Sequence, residues 1–241
     1  MNILCVIPVR GGSKGIHRKN VREIAGKPLV AWTIEQALAA RPAMDVLVST
    51  DDPEIAEVAR DCGAAVPFLR PSMLAEDTTA TEPVILHAID FRTGQGRRPD
   101  AVMLLQATSP LRLPGTVDRA IKEFEASLVD SMVGVVPQTP FLWRIAASAD
   151  PGSMNPVPEY PVDARPRRQD LDGKDFFYRE TGSLYLTKTE VYLAKANRLG
   201  GRIGLFIMDE VEGTDVDTEV DWLNAAAMLH SISPSSGQVM K

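Results

Sequence analysis

The sequence predicts one α/β domain in three layers, built on a mainly parallel β-sheet and interrupted by one long excursion. Three observations carry that prediction. Short apolar runs at 3–7, 46–50, 101–106, 132–136 and 203–208 read as strands buried on both faces. Segments with apolar residues at helical spacing alternate with them, so successive strands are joined by crossover helices, as parallel pairing requires. The 241 residues, 44% hydrophobic and 24% charged, suffice for one sizeable core. A single domain is expected over 1–232, including an excursion at 137–182, with a polar, disordered tail at 233–241.

Taken in order, the first strand is β-branched and closed by Pro8. It runs into Pro8-Val9-Arg10-Gly11-Gly12-Ser13-Lys14-Gly15 and on through Arg18-Lys19-Asn20. Pro28 stands at a first helical position, and Val30, Ile34, Ala37 and Leu38 share one face of a helix reaching about residue 40. After the strand at 46–50, Asp51-Asp52-Pro53 starts a helix with Ile55, Val58 and Ala59 on one side, ended by Gly63. Residues 66–69 read as a short edge strand, because Pro67 cannot donate to a ladder. A polar loop over 70–81 precedes a helix bearing Val84, Ile85, Ala88 and Ile89, which Gly94 and Gly96 break.

The run 101–106 is the strongest central-strand signal and ends in Ala107-Thr108-Ser109-Pro110-Leu111-Arg112. Pro114 opens a helix with Val117, Ala120, Ile121 and Phe124 as its buried stripe. Over 137–182 prolines crowd together and the helical period disappears. So long a structureless loop is improbable in a compact domain, and the segment is expected to hold strands and irregular pieces that pack on another subunit. Alternation resumes with a strand at 183–187, a helix at 190–196, the strand at 203–208 and a last helix over 218–232.

The formal net charge of -6 argues against general binding to nucleic acid or anionic membrane. Against that acidic background the basic cluster from Arg10 to Lys27 is a local anomaly, and it suggests a small anionic guest. Its glycines let the backbone approach a ligand. The spacing matches neither Gly-x-x-x-x-Gly-Lys-Ser/Thr nor a Gly-x-Gly-x-x-Gly turn into a helix, leaving a longer and more highly charged anion loop. Two cysteines, Cys5 and Cys62, show no metal or disulfide spacing, and no run approaches the roughly 18 apolar residues of a membrane span. A reducing, cytoplasmic setting is expected.

In open parallel sheets ligands bind beyond the carboxyl ends of strands. Arg10, Lys14, Lys19, Asp51 and Gln106 all fall just past such ends. A triphosphate held there would bring Mg2+, which takes hard oxygen ligands. If extended, Asp215-Val216-Asp217 places two carboxylates on one side. Acids also gather at helix N-termini, and Thr218 with Asp221 forms a capping box. That second reading accounts for Asp217 and Asp221 better than for Asp215. His17, His87 and His230 are far apart, and no Ser-His-Asp pattern occurs. What remains is in-line transfer at a phosphoryl group by positioning and charge neutralisation.

The motifs Ile7-Pro8-Val9-Arg10-Gly11-Gly12-Ser13-Lys14-Gly15 with Lys19-Asn20, Val48-Ser49-Thr50-Asp51-Asp52, Arg70-Pro71 with Asp77-Thr78, Leu104 to Arg112, Arg168-Gln169 and Asp215-Val216-Asp217-Thr218-Glu219 closely resemble the acylneuraminate (CMP-sialic acid, nonulosonic acid) cytidylyltransferases, in the family's order from residue 3 to about 230. The resemblance implies a Rossmann-like sheet of the nucleotide-diphospho-sugar transferase type and a homodimer whose excursion reaches the partner's site. It implies a Mg2+-dependent reaction in which the anomeric hydroxyl of a nonulosonic acid attacks the α-phosphate of CTP and releases pyrophosphate. Carried onto matching positions, Arg10, Lys14, Lys19 and Asn20 would hold the triphosphate, and Arg70, Thr79 and Thr81 would surround cytosine and ribose. Gln106 would touch the sugar acid, Arg168 would grip its carboxylate in trans, and Asp215 and Asp217 would bind Mg2+, Asp217 also helping to deprotonate the hydroxyl.

Two positions depart from the family pattern: Glu180-Thr181-Gly182 replaces the frequent Glu-Asn-Gly, and Thr81 replaces a frequent serine. Sialic, legionaminic and pseudaminic acids all satisfy the motifs. Two other classes remain beside this one. A nucleotidyltransferase using another 2-keto-3-deoxy sugar acid or another nucleotide shares the same site, and a non-catalytic nucleotide-binding regulator would tolerate loss of the metal pair. A dinucleotide-dependent oxidoreductase is disfavoured by the missing glycine fingerprint.

Overall fold

The computed structural model describes residues 1–12, 15–147 and 153–232; Ser13, Lys14 and the tail lie outside that description. Strand β1 (Ile3–Pro8) is followed by a short hairpin, β2 (Glu23–Ile24) and β3 (Lys27–Pro28), and then by α1 (Leu29–Ala39). Next come β4 (Asp45–Ser49), α2 (Pro53–Asp61), α3 (Thr81–Gly94), β5 (Ala101–Leu105), α4 (Thr116–Ala126) and β6 (Ser131–Gln138). The excursion carries β7 (Trp143–Ala146) and β8 (Asn155–Pro158), and the chain ends with β9 (Phe177–Lys188), α5 (Thr189–Lys195), β10 (Ile203–Ile207) and α6 (Glu219–Ile232).

Six strands make one sheet in the order β10-β6-β9-β5-β1-β4. Strands β4, β1 and β5 pair parallel, as do β10 and β6, while β9 lies antiparallel between β5 and β6. Period-two alternation divides each strand between two cores. Ile3, Cys5 and Ile7 join Met103, Leu105 and residues of α1, α2 and α4 on one face; Leu4, Val6, Val102 and Leu104 join Ile85, Ala88 and Ile89 of α3 and Tyr192 of α5 on the other. A third cluster packs Ile16, Ile24 and Leu29 against Trp222, Ala225 and Leu229 of α6. The result is the expected three layers.

Several local expectations are corrected. Residues 66–69 form no strand; only a single parallel bridge from Leu47 to Ala65 touches that edge. Pro67 denies the segment a donor, so pairing stops before it begins. Pro28 caps α1 from inside the hairpin instead of opening the helix, because the turn at Ala25 and Gly26 takes both residues to positive φ, 49° and 87°, and folds 27–28 back on 23–24. Pro114 precedes α4 by one further residue, Gly115, whose φ of 83° makes the helix entry. Leu38, expected on the buried face of α1, is 39% exposed.

Helix α2 shows how the sequence fixes an element and ties it to the anion loop. Its N-cap Asp52 accepts from the Glu54 and Ile55 amides at 2.9 and 3.2 Å and from Arg18 Nη1 at 2.5 Å. Partial burial opposes the charge of Asp52, but the Arg18 hydrogen bond and the two helix amides outweigh it and hold the carboxyl below its ordinary range. Replacing Asp52 with alanine is expected to cost about 1–2 kcal/mol of stability. With the folded value depressed, that contribution is present above the unfolded aspartate value of about 3.9 and is lost as pH falls through the lower folded value. Denaturant melts at neutral and acid pH check it: a difference between the proteins that stays undiminished in acid would refute the assignment.

Candidate active site

The carboxyl ends of β1 and β5 open into a cleft of about 430 Å3. Of the residues singled out in the sequence, Arg10, Lys19, Asn20, Arg70, Thr79, Thr81, Gln106 and Asp217 all line it. Lys14 lies outside the described residues. Asp215 is half-buried and Arg168 is exposed on a one-turn 3-10 helix of the excursion, and neither is among the residues that line the cleft.

The loop after β1 is held from several sides. Val9 donates its amide to Ser49 O at 2.9 Å, and the Gly11 amide donates to Asp51 Oδ1 at 3.2 Å. A Cβ on Gly11 would stand 2.6 Å from Asp52 Oδ2, so only glycine fits that approach. Asn20 Nδ2 donates to Arg10 O at 3.2 Å and closes the loop on itself. At its far end Gly15 runs against the carbonyl of Asp217, where any side chain would collide. These contacts aim main-chain groups and Arg10 into one space. Arg10 Nη1 meets Asp77 Oδ1 at 2.5 Å across the opening, a carboxylate where an anionic ligand would compete.

Lys19 is nearly buried, and its Nζ donates to Val216 O at 2.6 Å and to Asp217 Oδ1 at 3.0 Å. The Val216 amide donates to Thr108 O at 2.8 Å, and its side chain is buried in the third cluster. The 215–217 segment is thereby pinned between the loop after β1 and the turn after β5. Burial pushes the half-buried Asp215 carboxyl up, the Thr108 side chain opposes that, and the neighbouring Asp217 charge adds to it. The capping box also forms: Asp221 Oδ2 accepts from the Thr218 amide at 2.8 Å, and Thr218 Oγ1 accepts from the Asp221 amide at 3.2 Å. Asp221 therefore belongs to α6, while Asp217 faces Lys19. Among the described residues no cluster of three or more His, Cys, Asp or Glu side chains gathers as a complete metal site.

Arg70, expected around the nucleoside, lines the cleft but turns its donors to the main chain. Its Nη2 donates to Val9 O at 2.6 Å and Ser49 O at 2.8 Å, and its Nη1 to Leu74 O at 3.3 Å. Burial lowers its pKa, Asp51 raises it and Arg10 lowers it further, so the net shift is downward. Its Nε has no partner. Arg70 thus ties the 70–81 loop to the ends of β1 and β4 while edging the cleft. Thr79 Oγ1 donates to Met73 O at 3.1 Å and braces the same loop, and Thr81 opens α3 at the cleft rim. Thr181 does not line the cleft. Its Oγ1 donates to Gly134 O at 3.1 Å and accepts from the Ser183 amide at 3.2 Å, closing the bulge in β9.

Two residues the sequence reading left without a role complete the frame. Arg112 is buried behind Gln106, and Glu212 is buried beneath α4, accepting the Leu113 amide at 2.9 Å and the Thr116 hydroxyl. The proline-flanked run ending in Arg112, directly after the central strand, was the only signal of the first; nothing marked the second.

A family model described as cytidylyltransferase matches residues 4–140, more than half of the chain. The chain belongs to the cytidylyltransferase family. This cytidylyltransferase, a nucleotidyltransferase by family, is 34% identical over 226 residues, 92% of its length, to N-acylneuraminate cytidylyltransferase A of Danio rerio, and spans about half of that protein (49%). It is 31% identical over 239 residues to pseudaminic acid cytidylyltransferase of Campylobacter jejuni, covering 98% of this chain and 99% of that one. The structure of CMP:2-keto-3-deoxy-manno-octonic acid synthetase complexed with CTP superposes with a TM-score of 0.68 at 19% identity, covering 96% and 99% of the two chains, and shares the cytidylyltransferase's fold.

Proposed function

We propose that this cytidylyltransferase activates a sialic-acid-like nonulosonic acid with CTP, giving the CMP-sugar and pyrophosphate. The observation that carries the reading is the convergence of Arg10, Lys19, Asn20, Gln106 and Asp217 on one cleft at the ends of β1 and β5. The names of the relatives support the two substrates. In the reaction the anomeric oxygen attacks the α-phosphorus, the bond to the β-phosphate oxygen breaks, and pyrophosphate leaves. Arg10 and Lys19, with Lys14 and the loop amides, neutralise the charge that grows on the leaving group. Asn20 keeps the loop closed around the phosphates, Arg70, Thr79 and Thr81 border the nucleoside, and Gln106 orients the acid. Asp217, exposed and hydrogen-bonded to Lys19, accepts the proton of the attacking hydroxyl.

The donor set fits Mg2+: two carboxylates one residue apart, Asp215 carrying a charge that burial and Asp217 both penalise, with substrate phosphates to complete the shell. Asp215 and Asp217 would hold the ion, which would supply positive charge at the reacting phosphate. Homodimer formation is supported by Trp143, Ile145, Met154 and Phe177, large apolar side chains left exposed on the excursion, and by Arg168, which is exposed there and does not line its own cleft. Arg168 would then serve the partner's acid. A cytoplasmic setting agrees with two free cysteines and with the lack, among the described residues, of any helix long and apolar enough to cross a membrane.

The test is a pyrophosphate-release screen crossing the four ribonucleotides with sialic, legionaminic and pseudaminic acids. Release is expected only with CTP, Mg2+ and an acid together, from a protein whose light scattering gives two chains. Silence in every combination would sink the assignment.

A further inference from the structure

The antiparallel ladder between β5 and β9 ends at the pair Leu105 and Leu184. One step beyond, at Gln106 and Ser183, both carbonyls turn to Arg112 instead. Arg112 Nε and Nη2 donate to Ser183 O at 3.1 and 2.5 Å, and Nη2 also donates to Gln106 O at 2.8 Å. Its Nη1 donates to Thr33 Oγ1 at 3.2 Å and Gln36 Oε1 at 3.1 Å, both on α1. Every acceptor is neutral, and the residue is 2% exposed. Burying a guanidinium without a carboxylate partner is costly, and a methionine or leucine would fill such a space more cheaply. Desolvation accordingly pulls the Arg112 pKa down to about 10, against smaller opposing contributions from Cys5, Glu212 and Asp215. What the position uses is a rigid fork of directed donors.

The front of this junction is the cleft wall. Gly182 has φ of 70°, and a Cβ there would stand 2.7 Å from Gln106 Oε1. The Gln106 amide is thus confined between the carbonyl clamp behind it and bare backbone in front.

We propose that Arg112 is a positioning residue for the sugar-acid subsite: by bridging the Gln106 and Ser183 carbonyls where the ladder stops, it fixes the Gln106 amide against Gly182. The proposal rests on the reading of Gln106 as a contact to the acid. Arg112→Met keeps the length of the side chain and removes every donor. Its KM for the acid is expected to rise about tenfold, with KM for CTP unchanged within about twofold. A purely structural role would lower the active fraction and leave both KM values alone, and that result would overturn the proposal. In a Gln106→Ala background the same substitution should add almost nothing to the acid KM, because one residue acts through the other; full additivity would also overturn it.

If Arg112→Met does not fold, Gln36→Leu, which withdraws one acceptor from the far side of the guanidinium and the amide donor to Pro110 O and Arg112 O, carries the same comparison with a split of about threefold. A readout independent of turnover is the side-chain amide NMR signal of Gln106, assigned by its loss in Gln106→Ala. It is expected to shift and broaden in the Arg112→Met or Gln36→Leu protein, and an unchanged signal refutes the proposed role. Should the wild-type protein turn over no acid at all, the activity reading fails, and the NMR comparison still decides what Arg112 does.

Discussion

Replacing Asp215 with alanine is expected to leave the protein folded and to slow pyrophosphate release by roughly a thousandfold or more. The expectation follows from where the carboxylate stands. Burial already penalises its charge and Asp217 adds to the penalty, so the folded protein gains little from keeping an acid there. The neighbouring Val216 is buried, and its amide, which donates to Asp215 Oδ1 at 3.1 Å, also donates to Thr108 O at 2.8 Å, a main-chain bond that alanine at 215 leaves in place. A carboxylate held at a cost to the fold, beside a second one, is what the proposed Mg2+ site would require. Thermal melts of the two proteins should nearly coincide while turnover at saturating CTP and acid collapses. A rate within tenfold of wild type would remove Asp215 from the site.

Lys19→Met is expected to reduce kcat by about a hundredfold to a thousandfold, the range found when one fixed donor to a developing negative charge is deleted. Lys19 does two things that methionine cannot. It brings a positive charge to the cleft, and it holds both the Val216 carbonyl and the Asp217 carboxylate, at 2.6 and 3.0 Å. The apolar stem of methionine fills the same nearly closed channel, so packing is conserved. Stopped-flow and steady-state measurements should show the loss in the chemical step, with CTP binding by calorimetry weakened less. If kcat falls less than threefold, the lysine is structural.

The line of cleft residues was legible because each follows the end of an apolar run, and in a parallel sheet those ends share one edge. Arg10, Lys19 and Gln106 were placed by that rule, Asn20 by the family resemblance, and Asp217 by its position ahead of the last helix. Less legible was anything decided by a distant partner. Residues 183–187 read as a strand, yet nothing local says that β9 runs antiparallel through the middle of the sheet or that it begins at Phe177. Arg70 and Arg112 carry the same charge as Arg10, but each has donors claimed by groups far along the chain, Val9 O and Ser49 O for Arg70 and Ser183 O, Thr33 and Gln36 for Arg112, and periodicity does not report such partners. The hairpin at 23–28 was missed because its turn places an alanine at positive φ, where a glycine pair is the usual signal. The strand foreseen at 66–69 had the right composition and lacked a free donor.

The central placement of β9 also sets the order in which the protein can be completed. Strand β5 is made some eighty residues before the segment that pairs with it at 184–188, and β6 about forty to fifty-five residues before its partners at 177–187. Until then a nascent chain holds the β4-β1-β5 half-sheet and a lone β6 with an open slot between them, each offering an unpaired, apolar edge to any other chain. Closing that slot is a late, long-range event of the kind that makes folding slow. The strand that fills it also delivers Gly182 to Gln106, so closing the slot and backing Gln106 are one step, and β10, the 215–217 segment and α6 are added after it.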